Sequence, residues 1–312
     1  MNLKRVVTTI SVAILLFAVI GGDKAFALSL AVQKGEKYNI HMSNEQETVV
    51  TFNNQEMTAK QKMDMDCSMN VLDVDKDKNV TIGYSYDAIK ILADSAGEKI
   101  AYDSNQDDNS NPFSSIYSGI LGKTFTVKLD SKGKVLEIKG LGDIINSTID
   151  NAPGTGQQKQ ALKKSLEQSF NDESLKLMFQ QSMNNYPPSN VKVGDTWEDK
   201  NELNVIFPMV IASKYKFSSE KDGMLTVNMK STINADTQNN PIDIMGIKAN
   251  VVLNGEINGN INMNKKNVFL QNENIIQHIS GEMEIQTGTE TPQTITLPLA
   301  ITSTITCEIT KK

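Results

Sequence analysis

The sequence predicts an α+β protein: a large curved antiparallel sheet, half-barrel-like, with a central helical insert packed on one face. Two observations carry this expectation. Long stretches on both sides of the chain's middle alternate apolar and polar residues with period two, the pattern of strands with one dry face and one wet face. The clearest runs from Ile247 to Met263, where every odd position is apolar or Gly. Between the two β-rich halves, from about Gly142 to Asn184, the apolar spacing changes to the three-to-four-residue step of helices.

The chain opens with the layout of a secretory signal. Lys4 and Arg5 precede an apolar run from Val6 to Ile20, and Ala25-Phe26-Ala27 forms an A-x-A cleavage site. The run is short for a bilayer span, which needs roughly 20 residues. The expected division is a signal peptide over residues 1–27, cleaved near Ala27, and one β-rich domain over 28–312. Within that domain the expected parts are a first strand meander (28–140), the helical insert (141–185) and a second meander (186–312).

In the first meander, Tyr38, Ile40 and Met42 share a strand face, which puts His41 on the opposite, wet side. Glu56 to Val74 reads as a long strand with Met63, Met65, Cys67, Met69 and Val71 on its dry face. The phase slips at Leu72 and Val74, which predicts a bulge. Val80, Ile82, Tyr84 and Tyr86 resume the alternation after a turn at Asp75–Asn79. Phe113 to Leu121 reads as a short helix. A hairpin then turns at Asp130–Gly133.

In the insert, Asp143 caps a short helix that buries Ile144, Ile145 and Ile149, and Pro153-Gly154 ends it. Leu162, Leu166 and Phe170 form one apolar stripe, and Leu175, Met178, Phe179 and Met183 a second. Strands resume after Trp197. Gly255 and Gly259 mark where the long Ile247–Met263 strand curves or meets another backbone closely. The last strand, Ile295 to Ile309, carries Ile301, Ile305, Cys307 and Ile309 on one side.

Composition narrows the function classes. The whole chain carries a net charge of −6; residues 1–27 contribute Lys4, Arg5 and Lys24 against Asp23, a net +2, so 28–312 carries −8. Arg5 is the only arginine. An acidic chain without guanidinium groups is a poor binder of nucleic acid or anionic membrane. Asp73–Asn79 has the alternating acids of a calcium loop, but Lys78 stands where the loop needs Gly and Tyr84 where it needs Glu. A hairpin turn is the expectation, and no metal or other cofactor is implied. The only histidines, His41 and His278, sit outside any catalytic motif, and no G-x-S-x-G or H-E-x-x-H occurs. The expectation is a non-enzymatic protein with no catalytic residues.

Cys67 and Cys307 both fall on inward faces near opposite ends of the chain. Two states stay open: two buried thiols, or a disulfide if the first and last strands meet in register. The abundant Met residues are gap-fillers of an ordinary core or the soft lining of an apolar cleft. In the second case Met65 and Met69 on the sheet, with Leu162, Leu166, Phe170, Met178 and Phe179 above them, line the ligand site.

Tyr186-Pro187-Pro188 followed by Val191-Lys192-Val193-Gly194-Asp195-Thr196-Trp197 resembles a signature in a family of uncharacterised bacterial exported proteins and lipoproteins, a domain of unknown function. The signal peptide, the strand-helix-strand layout and the GKVLEIKG hairpin before the helices are similar too. The resemblance implies an extracytoplasmic protein and supplies no activity, cofactor or catalytic residue to carry over. Many relatives are lipid-anchored; in this chain Leu28, not Cys, directly follows the expected cleavage site. A more distant architectural similarity is to exported lipoprotein carriers whose half-barrel holds helices over an apolar cavity.

The leading expectation is a secreted or cell-envelope protein that binds an apolar or lipid-like molecule between sheet and helices. The alternative is a surface module that binds protein or cell-wall glycan through its polar sheet face. Neither involves nucleic acid or a transmembrane segment after signal cleavage.

Overall fold

A computed structural model describes residues 32–95, 98–106, 114–117, 119–130, 135–151, 155–156, 191–204, 207–244, 247–266, 270–287 and 293–312. In chain order these form β1 (Lys37–Phe52), β2 (Gln55–Val74), β3 (Val80–Ser95), β4 (Glu98–Asp103), α1 (Ser114–Tyr117), β5 (Thr124–Leu129), β6 (Val135–Lys139) and α2 (Leu141–Asn151). There follow β7 (Thr196–Asn204), β8 (Pro208–Lys221), β9 (Met224–Asp236), β10 (Ile242–Ile244), β11 (Ile247–Asn264), β12 (Leu270–Thr287) and β13 (Gln293–Lys311).

The expected α+β class is overturned. The described residues are nearly all β, and all thirteen strands belong to one sheet. The physical reason lies in the alternation itself. Strands of 14 to 20 residues each carry a full dry face, and joining them edge to edge makes one apolar surface on which the class of the fold rests. The described helices are the single turn α1 and the eleven-residue α2. The apolar stripes at Leu162, Leu166 and Phe170 and at Met178 and Phe179 lie outside the described residues, as do the signal region and the Tyr186-Pro187-Pro188 part of the motif.

The strand order is β6-β5-β3-β2-β1-β13-β12-β11-β9-β8-β7, with β4 beside β3 and β10 beside β11. Every strand pairing is antiparallel. The first and last strands, β1 and β13, pair along Tyr38–Lys311 to Val50–Leu299 and weld the two meanders into one sheet. This excludes two separate sandwiches. The chain leaves the sheet at one edge after β6 and re-enters at the opposite edge with β7.

Local chemistry explains the turns. Asn53 and Asn54 both take positive φ between β1 and β2, and Asp222 and Gly223 do so between β8 and β9; two-residue hairpins need this to match the strand twist. The phase slip expected at Leu72 is a bulge: Val71 pairs with Ile82 and Asp73 with Thr81, which leaves Leu72 exposed on the outer face. A second irregularity falls between Asp66 and Cys67. At Gly255 a Cβ would stand 2.6 Å from the His278 carbonyl oxygen, the close backbone approach that the sequence anticipates.

The dry face holds two large clusters. One gathers Tyr38, Ile40, Met42, Cys67, Met69, Ile261, Ile305, Cys307 and their neighbours, and runs from Val135 near one sheet edge to Trp197 at the other. The second includes Val50, Ala59, Val251, Leu253, Ile279, Met283, Leu297 and Leu299. The wet face carries cross-strand ion pairs such as Lys62–Glu45 at 2.7 Å and Lys60–Glu47 at 2.7 Å.

Candidate functional site on the inner face

The two apolar clusters are divided by polar residues. Following the registers across the sheet, Ser213 opposes Ser231, which opposes Ile257; then come Gln277, Ser303, Gln46 and Gln61. All six polar members are buried. The result is a polar belt across the inner face, interrupted only by Ile257. Ser231 Oγ donates to Ser213 Oγ at 2.8 Å, and Gln46 Nε2 donates to Thr48 Oγ1 at 3.1 Å. Burying such groups is tolerable only with partners.

Two residues beside the belt break that rule. Asn44 lies one row above it and is 8% exposed, with its Oδ1 buried and unpartnered. Glu273 lies two rows above it, is 3% exposed, and neither carboxyl oxygen has a hydrogen-bond partner. Burial pushes the Glu273 carboxyl well above the usual carboxylate range, because a charge without compensation is costly away from water. The Glu273 row continues through Cys307, Met42 and Met65. Asn44 stands directly between Ile305 and Met63. The methionines and the unpartnered polar groups therefore share one region of the face.

Of the residues singled out from sequence, Met65 and Met69 are brought to this region; Met69 is buried and Met65 half-buried at the cluster margin. Leu162, Leu166, Phe170, Met178 and Phe179 cannot be placed beside them, being outside the described residues. Cys67 and Cys307 do not form a disulfide; both thiols are free and buried. Cys67 pairs with Ile40, and Cys307 with Met42, so β1 stands between the two cysteine strands. Two strand spacings are about 9.6 Å, beyond the roughly 7 Å that a disulfide spans between Cα atoms. Burial raises the Cys67 thiol to about 12 and pushes Cys307 up as well.

Glu273 and Asn44 are the residues that the sequence reading missed. The signal was present: Glu273 is in phase with Ile275, Ile279, Met283 and Ile285, and Asn44 with Tyr38, Ile40 and Met42. Following the phase past the last apolar residue would have placed both inside.

The remaining candidates are plainer. The Asp75 carboxylate is consumed by its own turn. It accepts from the backbone N–H groups of Asp77 and Asn79 at 3.0 and 2.9 Å and from Asn79 Nδ2 at 2.9 Å, and pairs with Lys128 at 3.1 Å. Among the described residues no group of three or more His, Cys, Asp and Glu side chains is arranged to hold a metal ion. His41 sits on the outer face with Nδ1 2.7 Å from Asp66, while the adjacent Ser43 and Ser68 donate to Asp64 and Asp87 instead. The Gly194-Asp195-Thr196-Trp197 motif starts β7. Gly194 has φ +101°, its N–H donates to the Phe217 carbonyl at 2.7 Å, and Trp197 stacks on Tyr215 with ring centres 5.4 Å apart. A separate groove of about 690 Å³ crosses β7, β8, β9 and β11, lined in part by Glu198, Lys200, Lys214, Lys230, Thr232 and Glu256. No described helix is long and apolar enough to cross a membrane.

Fold and face define an antiparallel single-sheet protein with one buried, internally divided apolar surface. The chain belongs to a family of unknown function, DUF6263, whose model matches residues 77–270. A comparison with curated proteins finds no match. Among solved structures, the chain is similar to one titled "Lipid-protein interactions in lipovitellin", at 10% identity and TM-score 0.47, over 89% of this chain and 25% of that one. The chain thus spans about a quarter of the lipovitellin chain's length. It is also similar to the translocator domain of the autotransporter NalP from Neisseria meningitidis, at 6% identity and TM-score 0.23, over 89% of this chain and 90% of that one. A third similarity is to an outer membrane channel from Pseudomonas putida F1, at 7% identity and TM-score 0.22, over 89% of this chain and 97% of that one.

Proposed function

We propose that this is a non-enzymatic, extracytoplasmic protein whose inner sheet face takes up an apolar, lipid-like molecule. The observation that carries the reading is the unpartnered polarity of that face. A self-sufficient core satisfies nearly all its buried polar atoms, yet Asn44 Oδ1 and both Glu273 oxygens are left without partners among apolar and Met side chains. Methionine's flexible thioether suits a surface that must accept more than one shape. The secretory layout of residues 1–27 supports the location.

Mass spectrometry of an organic extract from protein purified out of its export compartment tests this. The expected result is a stoichiometric amphiphile, and a delipidated sample that quenches or shifts a fluorescent hydrocarbon probe. A clean extract together with no probe binding refutes the reading.

The groove across β7 to β11 favours a second reading, a surface module for glycan or protein. Its lining is polar and mixed in charge, suited to hydroxyl-rich ligands. Retention on isolated cell walls that is lost with Lys230→Ala but not with inner-face variants selects this alternative.

A further inference from the structure

We infer that Glu273 and Asn44 form the polar anchor of the inner face, and that they hold an uncharged, hydroxyl-bearing head group of an amphiphile whose chain lies on the neighbouring Met and Ile side chains. This rests on the apolar-ligand reading and narrows it to one ligand chemistry.

Both residues are more than nine-tenths buried and point to the same face. Three of their polar atoms lack partners: Asn44 Oδ1, Glu273 Oε1 and Glu273 Oε2. An amide oxygen only accepts, whereas a carboxylic acid both donates and accepts. The complement is a group that donates to Asn44 and exchanges hydrogen bonds with Glu273, as neighbouring hydroxyls do. The residues directly opposite Glu273 are Ile261 and Cys307, neither of them a cation, and the surrounding burial favours the uncharged acid. An ammonium head group would bring a second charge out of water and force Glu273 to ionise, which makes it the costlier partner. The chain's path is supplied by Met42, Met63 and Met65 on the same or adjoining rows, with Ile305 between.

The test uses purified, delipidated full-length protein loaded with a fluorescent hydrocarbon probe. Displacement is measured with three competitors of equal chain length: a monoacylglycerol, a primary amine and an n-alkane. The monoacylglycerol is expected to compete best. Glu273→Leu and Asn44→Leu are each expected to weaken it about tenfold, the scale of one or two lost buried hydrogen bonds. Glu273→Gln, which keeps a donor and an acceptor, is expected to retain most of the affinity. Alkane competition should be unchanged in all three variants, which also shows that they are folded. If the amine competes best, or if the variants leave the monoacylglycerol's advantage intact, the anchor is refuted while the apolar reading survives. If no competitor or probe binds wild-type protein, the apolar reading itself fails and the anchor with it.

Discussion

At the scale of single residues, two carboxyl groups set opposite pH dependences. Glu273 is protonated more readily when folded than when unfolded, because burial raises it above its ordinary 4.5. Between that value and the raised one the folded chain binds the extra proton, so its contribution to stability is intact at low pH and falls as pH rises. Glu273→Gln is expected to flatten this fall. Thermal melts at pH 4.5 and pH 8 should show the variant gaining on wild type only at the higher pH, and an equal gain at both would contradict the burial argument. Asp75 runs the other way. Hydrogen bonds from the Asn79 side chain and backbone hold it at about 2. Its stabilisation is present above its ordinary 3.8 and is lost as pH falls through about 2. Asp75→Asn should therefore lower the melting temperature at pH 6 and converge with wild type near pH 2.

At the scale of elements, a few glycines decide whether strands can pair. Gly281 on β12 has φ +157°, and a Cβ there would lie 2.0 Å from the Val252 carbonyl oxygen and 3.0 Å from Leu253 Cα on β11. Neither is a flexible side-chain end, so the strands themselves must move. Gly281→Ala is expected to destabilise by about 3 kcal/mol, measured by urea unfolding, whereas Gly223→Asn, in an open hairpin turn, should cost less than about 1 kcal/mol. The β7 start behaves as a small unit of its own. Lys192 N–H donates to Asp195 Oδ2 at 2.9 Å and the Phe217 N–H to the Asp195 carbonyl at 3.0 Å, so this turn docks the edge strand onto β8 next to the stacked Trp197 and Tyr215.

At the scale of the whole molecule, the β1–β13 pairing is the seam on which the single sheet depends. Residues near the two ends of the described chain, such as Tyr38 and Lys311, lie opposite one another, so closing the seam costs the largest loop entropy in the molecule. Removing residues 293–312 is expected to expose β1 and β12 as bare edges. The truncated protein should lose the single cooperative unfolding transition and self-associate, as judged by scattering during a melt. A truncated protein that stays monomeric and unfolds in one step would show that the cooperative unit does not depend on the seam. The polar belt belongs to this scale as well, because no strand contains it; it exists only once seven strands are in register.

Much was readable from residue order alone. The period-two pattern determined the strands, their inward faces, the bulge at Leu72 and the close approach at Gly255, because side chains alternate about a strand whatever it pairs with. The same reasoning, stopped at the last apolar residue, missed that Asn44 and Glu273 continue the inward phase. It also assigned the fold to α+β, because it gave the three-to-four-residue spacing of the middle segment the weight of a second layer, whereas the described residues are nearly all β. Only tertiary structure decided the seam of β1 with β13, the separation of Cys67 from Cys307 by a strand, and the meeting of Glu273 with the methionine rows. Those depend on which strands are neighbours, and neighbourhood across nearly three hundred residues is set by register and packing rather than by any local pattern.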